Sequence, residues 1–226
     1  MFSVVIPTLN AAAGLEATLA ALAEAKASDA QFEIVVVDGG SRDGTPDLAA
    51  RLGARTVTAP RGRGIQLSMG ATASREPWLL FLHADTVLEP SWSDAARTFI
   101  ARPNAKTEAA AFRFALDDEA PAARRLEAIV GWRCRTFGLP YGDQGLLIHR
   151  DFYDSLGGYR PMPLMEDVDF IRRVGRRRVV MLATAAVTSA ARYRSDGYLR
   201  RSLRNLVCLS LYLAGVPQRH ILRVYR

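Results

Sequence analysis

Residues 79–86 read LLFLHADT: four apolar side chains, then His83, Ala84, Asp85 and Thr86. A short apolar run that stops on ionisable groups suits a strand buried in a sheet whose carboxyl end opens into a ligand crevice. Asp85 and Thr86 suit a turn or a helix cap equally well. The octapeptide alone leaves both readings open, and the flanking sequence has to decide.

Upstream, FSVVIP (2–7) is a β-branched run, followed by good helix formers with Leu15, Leu19 and Leu22 at helical spacing. FEIVVVDGGSRDGT (32–45) repeats the pattern. A buried strand leads into a Gly-rich turn and then a helix from about Pro46 to Leu52, its entry marked by Asp43, Thr45 and Pro46. A third strand is expected over 54–59, then a loop PRGRG (60–64), a helix over 65–74 and the strand 77–82. Strands alternating with helices argue for a parallel, doubly wound α/β sheet. The loops after such strands gather at one rim, where ligands bind. Thr8, Asn10, Asp38, His83 and Asp85 all fall there. Three strands ending in polar groups are better explained by one shared ligand site than by three unrelated caps.

The second half is less regular. AAAFRFAL (109–116), QGLLIHR (144–150) and VVMLATAAVTSA (179–190) read as strands, and residues 120–137 as a helix with Leu126, Ile129 and Val130 on one face. PLMEDVDFIRRV (163–174) places acidic residues ahead of a helical apolar pattern. Residues 198–213 form an amphipathic helix, with Leu199, Leu203, Leu206 and Val207 opposite Arg200, Arg201 and Arg204, and Pro217 ends it.

The 226 residues, 49% of them hydrophobic, suffice for one sizeable core. No basic segment precedes an apolar signal-like stretch, and no run reaches the length of a membrane span, so a cytoplasmic protein is expected. Cys134 and Cys208 stand far apart and are expected to be packing residues. The net charge of +7 is concentrated: residues 192–226 carry eight arginines against Asp196 alone. That is a basic tail on a neutral body, and nucleic acid is not the expected partner. The tail's arginines and leucines suit an interfacial helix on anionic lipid at the inner membrane face, or a helix packed on the domain.

The motifs VVIPTLN, VVVDGGSRDGT, RGIQLSMGA, FLHADT, YGDQG, GGY and MEDVDF, in that order, resemble family 2 glycosyltransferases. These are inverting enzymes with a GT-A nucleotide-diphospho-sugar fold, and FLHADT, GDQG and MEDVDF look most like a bacterial subgroup. The resemblance covers about Phe2 to Arg194. It implies a GT-A domain over 1–194 with a mostly parallel central sheet flanked by helices, and a C-terminal basic helical segment over 195–226. The implied partners are a nucleotide-sugar donor, UDP-linked by preference, and a hydroxyl acceptor that many relatives carry on a lipid.

The resemblance also implies roles for single residues. Asp38 sits at the nucleotide base, where a carboxylate can accept an imide N–H, although it also suits an Asx-type turn. Pro7, Thr8 and Asn10 line the same nucleoside pocket. His83, Ala84 and Asp85 occupy the place of an Asp-x-Asp motif, with Asp85 holding Mn2+ or Mg2+. One carboxylate can suffice for such an ion when phosphates and water complete its shell. His83 either contacts ribose or phosphate or joins the metal. Asp167 takes the proton from the acceptor and Glu166 orients acceptor or backbone, though carboxylates are favoured at a helix start in any case. Asp143 and Gln144 face donor sugar or acceptor. Arg61, Arg63 and Gln66 approach the nucleotide or its diphosphate, and Arg192 and Arg194 close over the phosphates. Two rivals stand beside this reading. A nucleotidyltransferase of similar fold is expected to carry a basic phosphate loop after the first strand, which PTLNAAAGLE lacks. A non-catalytic basic adaptor is expected to bind nucleic acid or membrane without metal and to release it with salt.

Overall fold

The computed structural model describes residues 1–27 and 31–225; residue 226, the last of the expected C-terminal segment, lies outside them. Strand β1 (Phe2–Thr8) leads to helix α1 (Ala12–Ala27), β2 (Phe32–Asp38) to α2 (Thr45–Arg51), and β3 (Arg55–Thr58) to α3 (Arg63–Ala73), before β4 (Trp78–Phe81). β1 pairs in parallel with β2 and β4, and β2 with β3. The register sets Thr8 beside Asp38 and Val5 beside Phe81, so the carboxyl ends of three strands share a rim.

The chain continues through β5 (Thr86–Leu88), α4 (Trp92–Ile100), β6 (Ala109–Leu116), α5 (Pro121–Phe137), β7 (Leu146–His149) and α6 (Arg150–Ser155). It ends with α7 (Glu166–Val174), β8 (Val179–Thr188), α8 (Ala191–Asp196), α9 (Tyr198–Leu213) and α10 (Gln218–Tyr225). One eight-stranded sheet runs β3-β2-β1-β4-β7-β6-β8-β5. Four of its seven pairings are parallel; β7 is antiparallel to β4 and β6, and β5 to β8. α9 stops before Pro217 as expected, but the chain then resumes as α10, because proline is tolerated at a helix start.

The apolar runs show no alternation because the sheet is covered on both faces. Val4, Ile6, Val36 and Leu80 face α1 and α4 with Leu15, Leu19, Trp92 and Phe99. Val5, Val37, Leu79 and Phe81 face α3 and α7 with Leu67, Tyr159 and Phe170. α3 lies very close to the sheet: a Cβ on Gly70 would stand 2.3 Å from Val5 Cγ1 and 2.9 Å from Val37 Cγ2, a distance only glycine allows. Cys134 and Cys208 are free and buried.

Candidate active site

β4 ends at Phe81, and residues 83–85 form a turn closed by Thr86 N–H donating to the His83 carbonyl at 3.3 Å. The next helix begins only at Trp92, so His83 and Asp85 stand at a strand end and cap nothing. α1 fixes the turn from behind. Thr18 Oγ1 donates to the Ala84 carbonyl at 3.0 Å, and a Cβ on Gly14 would stand 3.2 Å from that oxygen and from Asp85 Cα. The start of α1 is held in turn by the loop after β2, where Thr45 Oγ1 accepts from Ala11 N–H and Asp43 Oδ2 from Ala12 N–H.

Above this turn lies a cavity of about 590 Å³, of a size common for small-molecule sites. Pro7, Thr8 and Asn10 line it from the end of β1, Arg61, Arg63 and Gln66 from the start of α3, and His83, Ala84 and Asp85 from the turn after β4. Asp143, Glu166, Asp167 and Arg192 line it from the second half of the chain. Asn10, in a left-handed conformation, accepts from Arg42 N–H and ties the two nucleoside-side loops together.

The YGDQG motif works through its first glycine. Gly142 N–H donates to Asp167 Oδ2 at 2.9 Å, and a Cβ there would stand 2.5 Å from His83 Nε2. Glycine therefore lets the Gly142–Gln144 turn pass between the two side chains.

Lone-pair accounting separates structural carboxylates from available ones. A carboxylate has about four acceptor positions. Asp38 fills all four, with Oδ1 accepting from Thr8 Oγ1 and Ser41 Oγ, and Oδ2 from Gly40 N–H and Ser41 N–H. Asp167 uses two, one on Gly142 and one on its neighbour Val168 N–H. Asp143 Oδ1 is buried without a partner, and no protein donor reaches the Asp85 carboxylate among the described residues.

Three expected residues do not line the cavity. Asp38 forms an Asx-type turn: Gly40 N–H, Ser41 N–H and the hydroxyls of Thr8 and Ser41 all donate to its carboxylate, and they hold its carboxyl below the usual range despite burial. Gln144 is buried and spends its amide on the Phe112 carbonyl, Arg133 and Tyr141 N–H, which pins the loop that carries Asp143. Arg194 points away from the cavity to Asp117 and Asp118, because two residues along α8 put it on the opposite face from Arg192. Gln66 reaches the cavity, but its Nε2 is committed to the carbonyls of Thr8 and Val37 at 2.7 and 2.8 Å.

Other lining residues went unread. Tyr141 stands over the Arg133 guanidinium at 3.5 Å, and Arg201, Asn205 and Leu209 of α9 form the outer wall with Tyr225 of α10. The spacing of 201, 205 and 209 marks one helical face, a signal present in the sequence but outweighed by the leucines around it.

Burial pushes Glu166 up to about 7, against the pull of Arg63 Nη1 at 3.5 Å and with the push of Asp167. Burial likewise lifts Asp143 to about 6, against Arg133 and aided by Asp167 and Asp85. Burial, reinforced by Arg63 and Arg192, holds His83 well below its ordinary value, so its imidazole is neutral and offers a lone pair. The two raised carboxyls keep protons in the folded protein that the unfolded chain has already lost. Their contribution to stability therefore falls as pH rises from about 4 to about 7. Glu166→Gln is expected to narrow the difference in melting temperature between about pH 5 and about pH 8. An unchanged difference would assign the pH dependence elsewhere.

Among the described residues no group of three or more His, Cys, Asp or Glu side chains gathers to hold a metal ion. The Asp85 carboxylate, which no protein donor reaches among the described residues, with the neutral His83 two residues away, fits an ion held jointly with phosphates and water. It does not fit an all-protein cage.

A model of glycosyl transferase family 2 matches residues 3–166. The chain belongs to that family. A PGL/p-HBAD biosynthesis glycosyltransferase of Mycobacterium bovis is 42% identical over 95 residues. That match takes in 39% of this chain and 36% of the relative, so the chain aligns with about a third of that relative's length. The fold is that of solved glycosyltransferases. A mannosyltransferase from Pyrobaculum calidifontis in complex with GDP-Man and Mn2+ has a TM-score of 0.67 at 18% identity, covering 90% of this chain and 59% of its own. Glucosyl-3-phosphoglycerate synthase from Mycobacterium tuberculosis, with Mn2+, UDP and glucosyl-3-phosphoglycerate, has a TM-score of 0.62 at 20% identity, covering 96% and 81%. The α/β architecture is thus GT-A-like, with a helical C-terminal region. The family match ends one residue before Asp167.

Proposed function

We propose that the cavity binds a nucleoside diphosphate sugar, UDP-linked by preference, and that the chain transfers the sugar with inversion to an acceptor hydroxyl. The observation that carries this is the meeting of two carboxylates with open acceptor positions, Asp85 and Asp167, in one cavity with Arg61, Arg63 and Arg192. Pro7, Thr8 and Asn10 border the nucleoside, with Asp38 behind them as a brace. The arginine forks match phosphate oxygens and hold the diphosphate. Asp85, with His83 beside it, is the place for Mn2+ or Mg2+, which when bound stabilises negative charge on the diphosphate as a Lewis acid.

In the transfer, the acceptor oxygen forms its bond to the anomeric carbon as the bond to the diphosphate oxygen breaks. The electron pair leaves with the diphosphate, and the acceptor proton passes to an unused position on Asp167. Glu166, paired with Arg63, fixes the guanidinium near the phosphates. Asp143, with its unpartnered oxygen, is placed to accept from a sugar or acceptor hydroxyl. The body over 1–194 is the transferase domain in this reading, and α9 and α10 of the C-terminal segment complete its outer wall.

The test is a panel of nucleotide-sugars with Mn2+, read as nucleoside diphosphate release and as thermal stabilisation. A UDP-sugar is expected to raise the melting temperature and to yield UDP. Failure of every nucleotide-sugar to stabilise the protein, with salt-sensitive binding to nucleic acid instead, would favour the basic adaptor.

A further inference from the structure

The outer sides of two adjacent helices are apolar and uncovered. On α9, Leu199, Leu203, Leu206 and Leu213 are 82%, 57%, 57% and 51% exposed and repeat at helical spacing along one face. On α5, which packs beside α9, Ile129 and Trp132 are 61% and 55% exposed. Contiguous exposed apolar surface of this kind marks an interaction site. The opposite side of α9 carries Arg201, Asn205 and Leu209 into the cavity, so a single helix separates the patch from the place where the acceptor must enter.

Charge decides what covers it. α9 and α10 contain no acidic residue; Arg201 and Arg204 are paired with Asp196, which leaves Arg200, Arg219 and Arg223 exposed, while the one acid of α5, Glu127, is paired with Arg124. Arg200 and Arg125 are exposed beside the patch. A second copy seated here by two-fold symmetry would set arginines against arginines, which is repulsive. An anionic bilayer takes the leucines and the tryptophan into its interface and the arginines onto its headgroups. We propose that the α5–α9 face docks on the surface of an anionic phospholipid bilayer, which presents a lipid-borne acceptor to the cavity. The acceptor part rests on the transfer reading; the docking does not. Among the described residues no helix is long and apolar enough to cross a membrane, so the contact is interfacial.

Trp132 makes the test direct, because Trp78 and Trp92 are buried. The full chain is mixed, without donor or acceptor, with vesicles of phosphatidylcholine alone or with phosphatidylglycerol added. Sedimentation with the phosphatidylglycerol vesicles, reduced by salt, is expected, together with a blue shift of tryptophan emission that Trp132→Phe removes. Acyl chains brominated near the headgroup are expected to quench Trp132 in the wild-type chain. The double variant Leu203→Glu/Leu206→Glu is expected to bind about tenfold or more weakly, with its circular dichroism and its UDP release unchanged. Absence of sedimentation and of quenching in low salt would overturn the proposal. So would a lipid-free species of twice the 24.8 kDa chain mass that the double variant dissociates, since that identifies a second copy as the occupant. Because vesicle binding is read without substrates, its failure is distinct from failure of the transfer reading.

Discussion

Asp167→Asn is expected to lower turnover by roughly 10²-fold or more, the size of effect seen when a general base is lost, while nucleoside diphosphate binding stays nearly intact. Asparagine keeps the volume and one acceptor oxygen, so the turn at Gly142 retains much of its anchor. It cannot take a proton from the acceptor hydroxyl. The loss should therefore appear in kcat, with little change in calorimetric affinity for UDP. Asp143 is the neighbouring carboxylate with acceptor capacity to spare. If Asp143→Asn lost more turnover than Asp167→Asn, the proton would go there instead. Equal turnover in Asp167→Asn and the wild-type chain would remove residue 167 from the mechanism.

Asp85→Ala should cost about as much, roughly 10²-fold or more in turnover, but by another route. Its carboxylate has no protein donor to leave orphaned, and its backbone is held by Ser189 N–H and the strap of Thr18 on Ala84. The variant should thus fold and melt like the wild-type protein. The effect belongs to nucleotide affinity in the presence of Mn2+. Calorimetric titrations of UDP with and without Mn2+ should differ for the wild-type chain and coincide for the variant. Coincident titrations in the wild-type chain would separate Asp85 from any metal.

The strands and helices of the first ninety residues were legible because each apolar run is short and each helix carries its own periodicity. Their pairing in parallel followed from that alternation. The direction of β7 and the short strand β5 were not legible, since strand direction is set by long-range pairing and three residues carry no period. Thr8, Asn10, His83 and Asp85 were readable as lining residues from their places at strand ends, whereas Arg61, Arg63, Asp143, Glu166, Asp167 and Arg192 came with the family resemblance. The turn around Asp38 was not legible, because the four donors that surround its carboxylate come together only when the loop after β2 folds against Thr8. That Gln144 and Arg194 stand outside the cavity lining was likewise not legible, as each finds partners far away in sequence, Phe112 and Asp117. The wall made by Arg201 and Tyr225 was hidden because a helix with one polar and one apolar face does not say which face meets the body.

In the proposed transfer, Asp85 and Asp167 address opposite ends of one bound nucleoside diphosphate sugar. Crystals of the chain grown with a hydrolysis-resistant UDP-sugar analogue and Mn2+ test it most directly, through the anomalous signal of the ion and the position of the anomeric carbon. The ion is expected between the Asp85 carboxylate and the diphosphate, and the anomeric carbon between the diphosphate and Asp167. Nucleotide bound outside this cavity, or the ion held away from residue 85, would contradict it.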